Sequence, residues 1–278
     1  MTASPGLLLV LYCIAIAACS LLGGLVPNLV RITHTGTQLV MSLVSGLMLG
    51  VAFYHLLPHS IALGEGDVDT AVWWLMLGLI AMLLLLRLFH FHQHDFSHEH
   101  GGHHDHHHPH GAEGAAHSLS WVGISLGLAV HTLIDGVALG AVMRSSSAAE
   151  GLAGIGVFLA IALHKPLDAM SIVTVMESGG WSRRARRLAN LLFALMCPLG
   201  ALLFYFGVDL LAESAVVIAA ALAFSAGAFI CIALSDLLPE VHFHSHDRAK
   251  LTLAFLLGIG LAWAIGAMEP AGLHVSGH

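Results

Sequence analysis

The strongest constraint on this chain is a series of apolar runs, each about as long as a bilayer is thick. An α-helix needs roughly 20 apolar residues to cross the ~30 Å hydrocarbon layer, where its backbone groups must be satisfied internally. Eight runs qualify, at approximately 6–26, 37–62, 70–91, 118–142, 151–177, 186–210, 214–238 and 249–268. Charged residues make up only 10% of the 278, against about 25% in a soluble domain. The reading is an all-α polytopic membrane protein with eight transmembrane helices in a single transporter-sized domain, 1–278. The first run, LLLVLYCIAIAACSLLGGLV, lacks a basic n-region, which predicts a membrane helix and not a cleaved signal peptide.

Lysine and arginine orient the helices. Arg31, Arg87, Arg183, Arg184, Arg186, Arg187, Arg248 and Lys250 fall in or beside the odd-numbered loops, whereas the even-numbered loops hold only Arg144. By the positive-inside rule the odd loops are cytoplasmic and both termini lie outside. The short loops favour a bacterial inner membrane. The basic cluster WSRRARRLAN suits topology and anionic-lipid contact. Nothing points to nucleic acid. Cys13, Cys19, Cys197 and Cys231 lie in apolar runs without close pairing and read as small core residues.

Two polar stretches interrupt the fourth and fifth runs: HTLIDG, His131 to Gly136, and HKPLDA, His164 to Ala169. Each places a histidine and an aspartate four apart, on one helix face. Ionisable residues in membrane helices are costly and mark cavities, ion paths or packed interiors. Two such faces turned together would offer two imidazoles and two carboxylates, a donor set suited to Zn²⁺. The simpler alternative is a satisfied polar contact between packed helices. Thr132 follows the first histidine and Lys165 the second. An ammonium beside two carboxylates supplies charge that a second metal would otherwise supply, which favours one metal site built from His131, Asp135, His164 and Asp168.

Other polar positions suggest a pathway. Met48, His55 and His59 share one face of the second helix, which also holds Pro58; Pro166 interrupts the fifth. Ser235, Asp236, Glu240 and His242 approach the cytoplasmic end of the seventh helix. Residues 90–117 are dense in histidine, glycine and acid and predict a disordered cytoplasmic loop. His103, His104, His106, His107 and His108 in it could bind metal loosely, without fixed geometry.

With both motifs, the histidine-rich third loop, HLLPHS and SDLLPE, the chain resembles the ZIP family of divalent-metal transporters over nearly its whole length. The resemblance implies a ZIP-like inverted-repeat bundle, with helices one to three related to six to eight around helices four and five. It implies His131, Asp135, His164 and Asp168 as primary ligands, with Met48 added from helix two, and a homodimer. Many relatives hold a second metal through the positions matching Thr132 and Lys165. Lys165 departs from that pattern and places the chain in the branch with a His-Lys pair. The expectation is a transporter, not an enzyme, that moves Zn²⁺, with Fe²⁺, Mn²⁺ or Cd²⁺ as further substrates, through the lipid bilayer towards the cytoplasm. The rivals are an intramembrane zinc-dependent lipid hydrolase, whose zinc would keep an open water position, and a metal sensor.

Overall fold

The computed structural model describes residues 4–25, 34–90, 113–145, 154–237 and 248–268. Among these residues the structure is helical, and eight helices are long and apolar enough to cross a membrane. Helix α1 is Pro5–Gly23, begun by Ser4, whose hydroxyl accepts from Leu7 N, with Pro5 in the first turn where no N–H is needed. Helix α2 runs from His34 to Leu63 in three parts: α-helical His34–Val51, a π-helical turn Ala52–Leu56, and α-helical Leu57–Leu63. Then come α3 (Val68–His90), α4 (Glu113–Ser145), α5 (Ile155–Ser178) and α6 (Arg183–Gly207). Helix α7 (Ser214–Ile232) continues into a second π-helical turn, Ala233–Leu237, and α8 is Arg248–Met268.

The helix boundaries fall within a few residues of those expected. The main difference is at α4, which begins at Glu113, inside the stretch the sequence assigns to the loop. The residues there, EGAAHS, include alanine and glutamate, good helix formers, and no proline.

The π-helical turns have a common cause. Each lies just before a proline, Pro58 in HLLPH and Pro239 in DLLPE. Proline has no N–H to give to the carbonyl four residues back, and its ring crowds that carbonyl. In α2 the chain widens by one residue, and the Leu57 N–H bonds to the Ala52 carbonyl instead. Pro166 and Pro198, by contrast, stand inside helices α5 and α6 that remain α-helical.

Packing reveals an internal repeat. The most extensive contacts pair α2 with α8, α3 with α7, and α4 with α6, while α1 lies against α5 and α6. Exchanging α1–α3 with α6–α8, and α4 with α5, maps this pattern onto itself. The glycines follow the same exchange. Gly46 of α2 lies against the Phe255 carbonyl and Gly258 of α8 against the Leu43 carbonyl. Gly227 of α7 lies against the Leu75 carbonyl and Gly78 of α3 against the Phe224 carbonyl. In both pairs a missing Cβ lets backbones touch, as small residues do between membrane helices. Gly46 and Gly227 each precede their proline by twelve residues. Successive crossings alternate in direction, so α2 and α7 run oppositely and the repeat is inverted.

The core is built from one face of each helix. Leu9, Ile16, Leu47, Met48, Leu139, Ile161 and Phe229 are almost wholly buried. Helices α3 and α8 present large apolar side chains outward, among them Trp73, Leu84, Leu257 and Trp263. In a membrane that surface is matched by lipid. Helices α4 and α5 meet inside this shell, and both carry buried charge.

Candidate metal centre

The two His-x-x-x-Asp faces turn towards each other. His131, Asp135 and His164 each offer a ligand atom within 4.8 Å of the others, and all three are buried. His164 Nε2 lies 3.2 Å from Asp135 Oδ2 and 3.8 Å from Asp168 Oδ2. His131 Nε2 lies 3.5 Å from both of those oxygens. A tetrahedral zinc with bonds of about 2.0 Å spaces its ligand atoms about 3.3 Å apart. His131, Asp135 and His164 are therefore already near the spacing the ion requires, and Asp168 lies beside both histidines.

Second contacts orient these groups. His164 Nδ1–H donates to the Ala160 carbonyl at 2.7 Å, one turn back in α5. In a neutral imidazole that contact leaves the Nε2 lone pair aimed at the carboxylates, the arrangement metal-binding histidines commonly show. Two lone-pair-bearing atoms at 3.2 Å repel unless a proton or a cation stands between them. His131 Nδ1 and Asp135 Oδ1 are buried without a hydrogen-bond partner. Buried polar atoms are seldom left so, and Asp135 therefore retains acceptor capacity directed into the site.

Lys165 is among the largest fully buried side chains of the described residues. Its ammonium lies 2.5 Å from Asp135 Oδ2 and 2.9 Å from Asp168 Oδ2. It also donates to Thr132 Oγ1 at 3.0 Å, and Thr132 in turn donates to the Leu128 carbonyl at 2.8 Å. Phe193 of α6 lies beneath it, with the ring centroid 5.6 Å from Nζ, inside cation–π range. Snorkelling to an interface is thereby excluded. With neutral imidazoles, two carboxylates and one ammonium leave the cluster one negative charge, ready for a cation.

The remaining expected residues are placed as follows. Met48 is fully buried in the apolar core of α2, and α2 packs against α5. His55 and His59 are buried at the π-helical turn and just beyond it. His55 Nε2–H donates to the Ala262 carbonyl of α8 at 2.9 Å, and His59 Nδ1–H donates to the His55 carbonyl at 2.6 Å. Ser235 lies in the second π-helical turn and gives its hydroxyl to the Cys231 carbonyl at 2.5 Å. Asp236 belongs to the same turn. Glu240, His242, His103, His104, His106, His107 and His108 lie outside the described residues.

Phe193 and the carbonyls of Ala160 and Leu128 were not among the expected site residues. Backbone acceptors carry no sequence signal, and Phe193 is one more apolar residue in an apolar run.

Comparison with known proteins identifies the family. The profile of the ZIP zinc transporter family matches residues 90–266, well over half of the chain. Zinc transporter ZIP9-A of Xenopus laevis is 28% identical over 267 residues, covering 81% of this chain and 83% of that protein. Zinc transporter ZIP9-B of the same animal is 29% identical over 181 residues, covering 62% of this chain and 54% of that protein. The family consists of transporters and not of enzymes, and the lipid-hydrolase rival finds no support. With its eight membrane-length helices and this profile match over more than half of its length, the chain belongs to the ZIP zinc transporter family.

Proposed function

We propose that this protein carries Zn²⁺ towards the cytoplasm by alternating access, through one central site formed by His131, Asp135, His164 and Asp168. The observation that supports this most directly is the convergence of the two helix faces, with the histidine nitrogens 3.2 to 3.8 Å from the aspartate oxygens. Fe²⁺, Mn²⁺ and Cd²⁺ fit the same nitrogen and oxygen donors and are further substrates. The basic ends of α3, α6 and α8 face the cytoplasm and both termini face outwards. The short loops alone argue for a bacterial inner membrane; both relatives are animal proteins.

Each group has a distinct task. Asp135 and Asp168 supply the charge that draws a hydrated cation inward, and the imidazoles replace its water. The ligands must be deprotonated to bind, so metal and protons compete for the cluster. Lys165 holds both carboxylates from one side and occupies, with its ammonium, the region where a second cation would sit. One metal per site follows. Thr132 fixes the ammonium and takes no metal itself.

The inverted repeat supports alternating access, because exchanging the halves exchanges outer and inner openings. HLLPH on α2 and DLLPE on α7 are then equivalent elements at the two ends of the path. His55 and His59 serve the outer one; Ser235, Asp236, Glu240 and His242 serve the inner one, leading to the loop histidines His103 to His108. Met48 lends a soft thioether beside the centre.

The test is Zn²⁺ uptake into proteoliposomes loaded with a zinc-responsive dye, for wild type, Asp135→Ala and His164→Ala. Saturable uptake by wild type and none by either variant is expected. Stoichiometric zinc binding by folded wild type without any uptake would refute the proposal.

A further inference from the structure

The arginine cluster at the start of α6 does not simply line the surface. It closes one wall of a cavity of about 460 Å³ between the C-terminal ends of α1 and α5 and the first turns of α6. Arg183, Arg186 and Arg187 line it with Asn190, Gly24 and Val173, whereas Arg184 of the same cluster does not. Glu177 is the one acid paired there, 2.8 Å from Arg186. Arg183 and Arg187 have no acidic partner among the described residues.

The polar groups around the cavity are under-used. The Nε of Arg186 is buried without a hydrogen-bond partner. Asn190, 6% exposed, gives its amide N–H to the Leu21 carbonyl at 3.3 Å, and its Oδ1 is buried and unpartnered. Gly24 lies against that amide, so a side chain there would collide with Asn190. Ser182 caps α6, and the positive end of the helix dipole falls on the same wall. On the neighbouring face of α6, beneath Arg184, Leu188, Leu191, Leu192 and Leu195 stand outward, each at least 44% exposed. The cationic hollow at the start of α6 is also lined by Leu25, itself 42% exposed.

The geometry points to a binding site for the phosphate of an anionic lipid, with the headgroup phosphate among Arg183, Arg186 and Arg187 and the start of an acyl chain against Leu25 and Val173. Basic pockets between membrane helices take such headgroups, and guanidinium forks match phosphate oxygens two at a time. Asn190 Oδ1 accepts from a glycerol hydroxyl of the headgroup or from a water held by it. Bound there, the lipid would brace α1 against α5 and α6. Helix α5 bears His164, Lys165 and Asp168, but binding does not depend on whether the protein transports zinc.

The experiment is native mass spectrometry of the full chain with equal amounts of phosphatidylglycerol and phosphatidylcholine. Wild type, Arg183→Gln/Arg187→Gln and Arg184→Gln are compared. All three substitutions are at exposed positions, and thermal melts establish that the variants fold. Wild type is expected to retain one phosphatidylglycerol and no phosphatidylcholine. Affinity should fall roughly fivefold for each lining arginine removed and should not change in Arg184→Gln. Equal retention by the double variant, or an equal loss in Arg184→Gln, would overturn the site, since charge alone would then explain binding. Millimolar inorganic phosphate forms the second arm. Failure to displace the lipid supports the lipid as ligand; displacement, with phosphate retained at one per chain, keeps the phosphate site and overturns the lipid.

Discussion

Helices α4 and α5 carry nearly the same motif and use it differently. His131 and Asp135 on α4 correspond to His164 and Asp168 on α5 under the exchange that relates the two halves of the bundle. Yet His164 has its Nδ1 tied to the Ala160 carbonyl, while His131 Nδ1 has no partner. Asp135 is fully buried, whereas Asp168 has 14% of its side chain exposed. Lys165 on α5 answers Thr132 on α4. The repeat sets where the ligands stand, and the departures from it set their chemistry: α5 brings a fixed imidazole and a permanent positive charge, and α4 brings the looser imidazole and the deeper carboxylate. Both aspartates approach Lys165, His164 and His131, but Asp135 is the hub, since it is fully buried and lies nearer Lys165 and His164 than Asp168 does.

The largest effect is therefore expected from removing that hub. Asp135→Ala should abolish zinc uptake and cost about 3–5 kcal/mol, the usual penalty for stranding a buried charge. Asp168→Ala should also abolish uptake, but with a smaller drop in melting temperature, because water reaches Asp168 and Lys165 keeps Asp135. Uptake assays paired with thermal unfolding in detergent decide it. Equal melting losses would mean that the two halves are interchangeable after all.

Next in size is the charge that separates the halves. Lys165→Met leaves two carboxylates facing each other with no fixed cation, and zinc must then supply what the ammonium did. The variant should melt lower in chelator and recover in zinc, by about 2.7 kcal/mol when the free metal is a hundred times Kd. Lys165→Glu should go further and bind two zinc ions per chain where wild type binds one, as read by elemental analysis. A single zinc in Lys165→Glu would show that the lysine does not exclude a second metal.

Much of this architecture is legible in the sequence. The spans stand out because length and apolarity are imposed by the bilayer and need no tertiary information. The site stands out because a histidine and an aspartate four apart have few other uses inside hydrocarbon. What escapes the sequence is whatever a distant segment decides. Pro58 and Pro239 signal a disturbed helix, but only the packed bundle turns that disturbance into π-helical turns and pins one of them, with the Ser45 hydroxyl on the Ala233 carbonyl at 2.7 Å. The choice of tautomer at His164 rests on a backbone carbonyl, and the seat of Lys165 on Phe193 rests on the register of α6.

That register supplies a third, smaller test. Gly200 of α6 lies against the Leu133 carbonyl of α4, and Gly23 of α1 lies against the backbone of Pro166 in α5. These are equivalent contacts, each made to the third residue of one of the two polar motifs. A methyl group at either position meets backbone that cannot turn aside. Gly200→Ala and Gly23→Ala should each cost about 1–3 kcal/mol, as overpacking does, and should slow uptake by shifting the helix that carries the ligands. A loss confined to one of them would show that the two contacts do not share the load.

The smallest expected effect is the most discriminating. Thr132 follows His131 at the position that the family resemblance marks for a second metal, but its hydroxyl accepts from Lys165 and donates to Leu128. Valine keeps its shape and removes the hydrogen bonds. If Thr132 only anchors the ammonium, Thr132→Val should cost about 1 kcal/mol and leave zinc affinity within a factor of two or so, because Lys165 retains both carboxylates. The double variant with Lys165→Met should then be no less stable than Lys165→Met alone, since the hydroxyl has lost the group it served. If Thr132 instead touches the metal, the single variant should weaken zinc binding and the double variant should weaken it further. Calorimetric titration of the two single variants and the double variant separates these outcomes, and with them a half-site that has lost a ligand from one that has exchanged it for a charge.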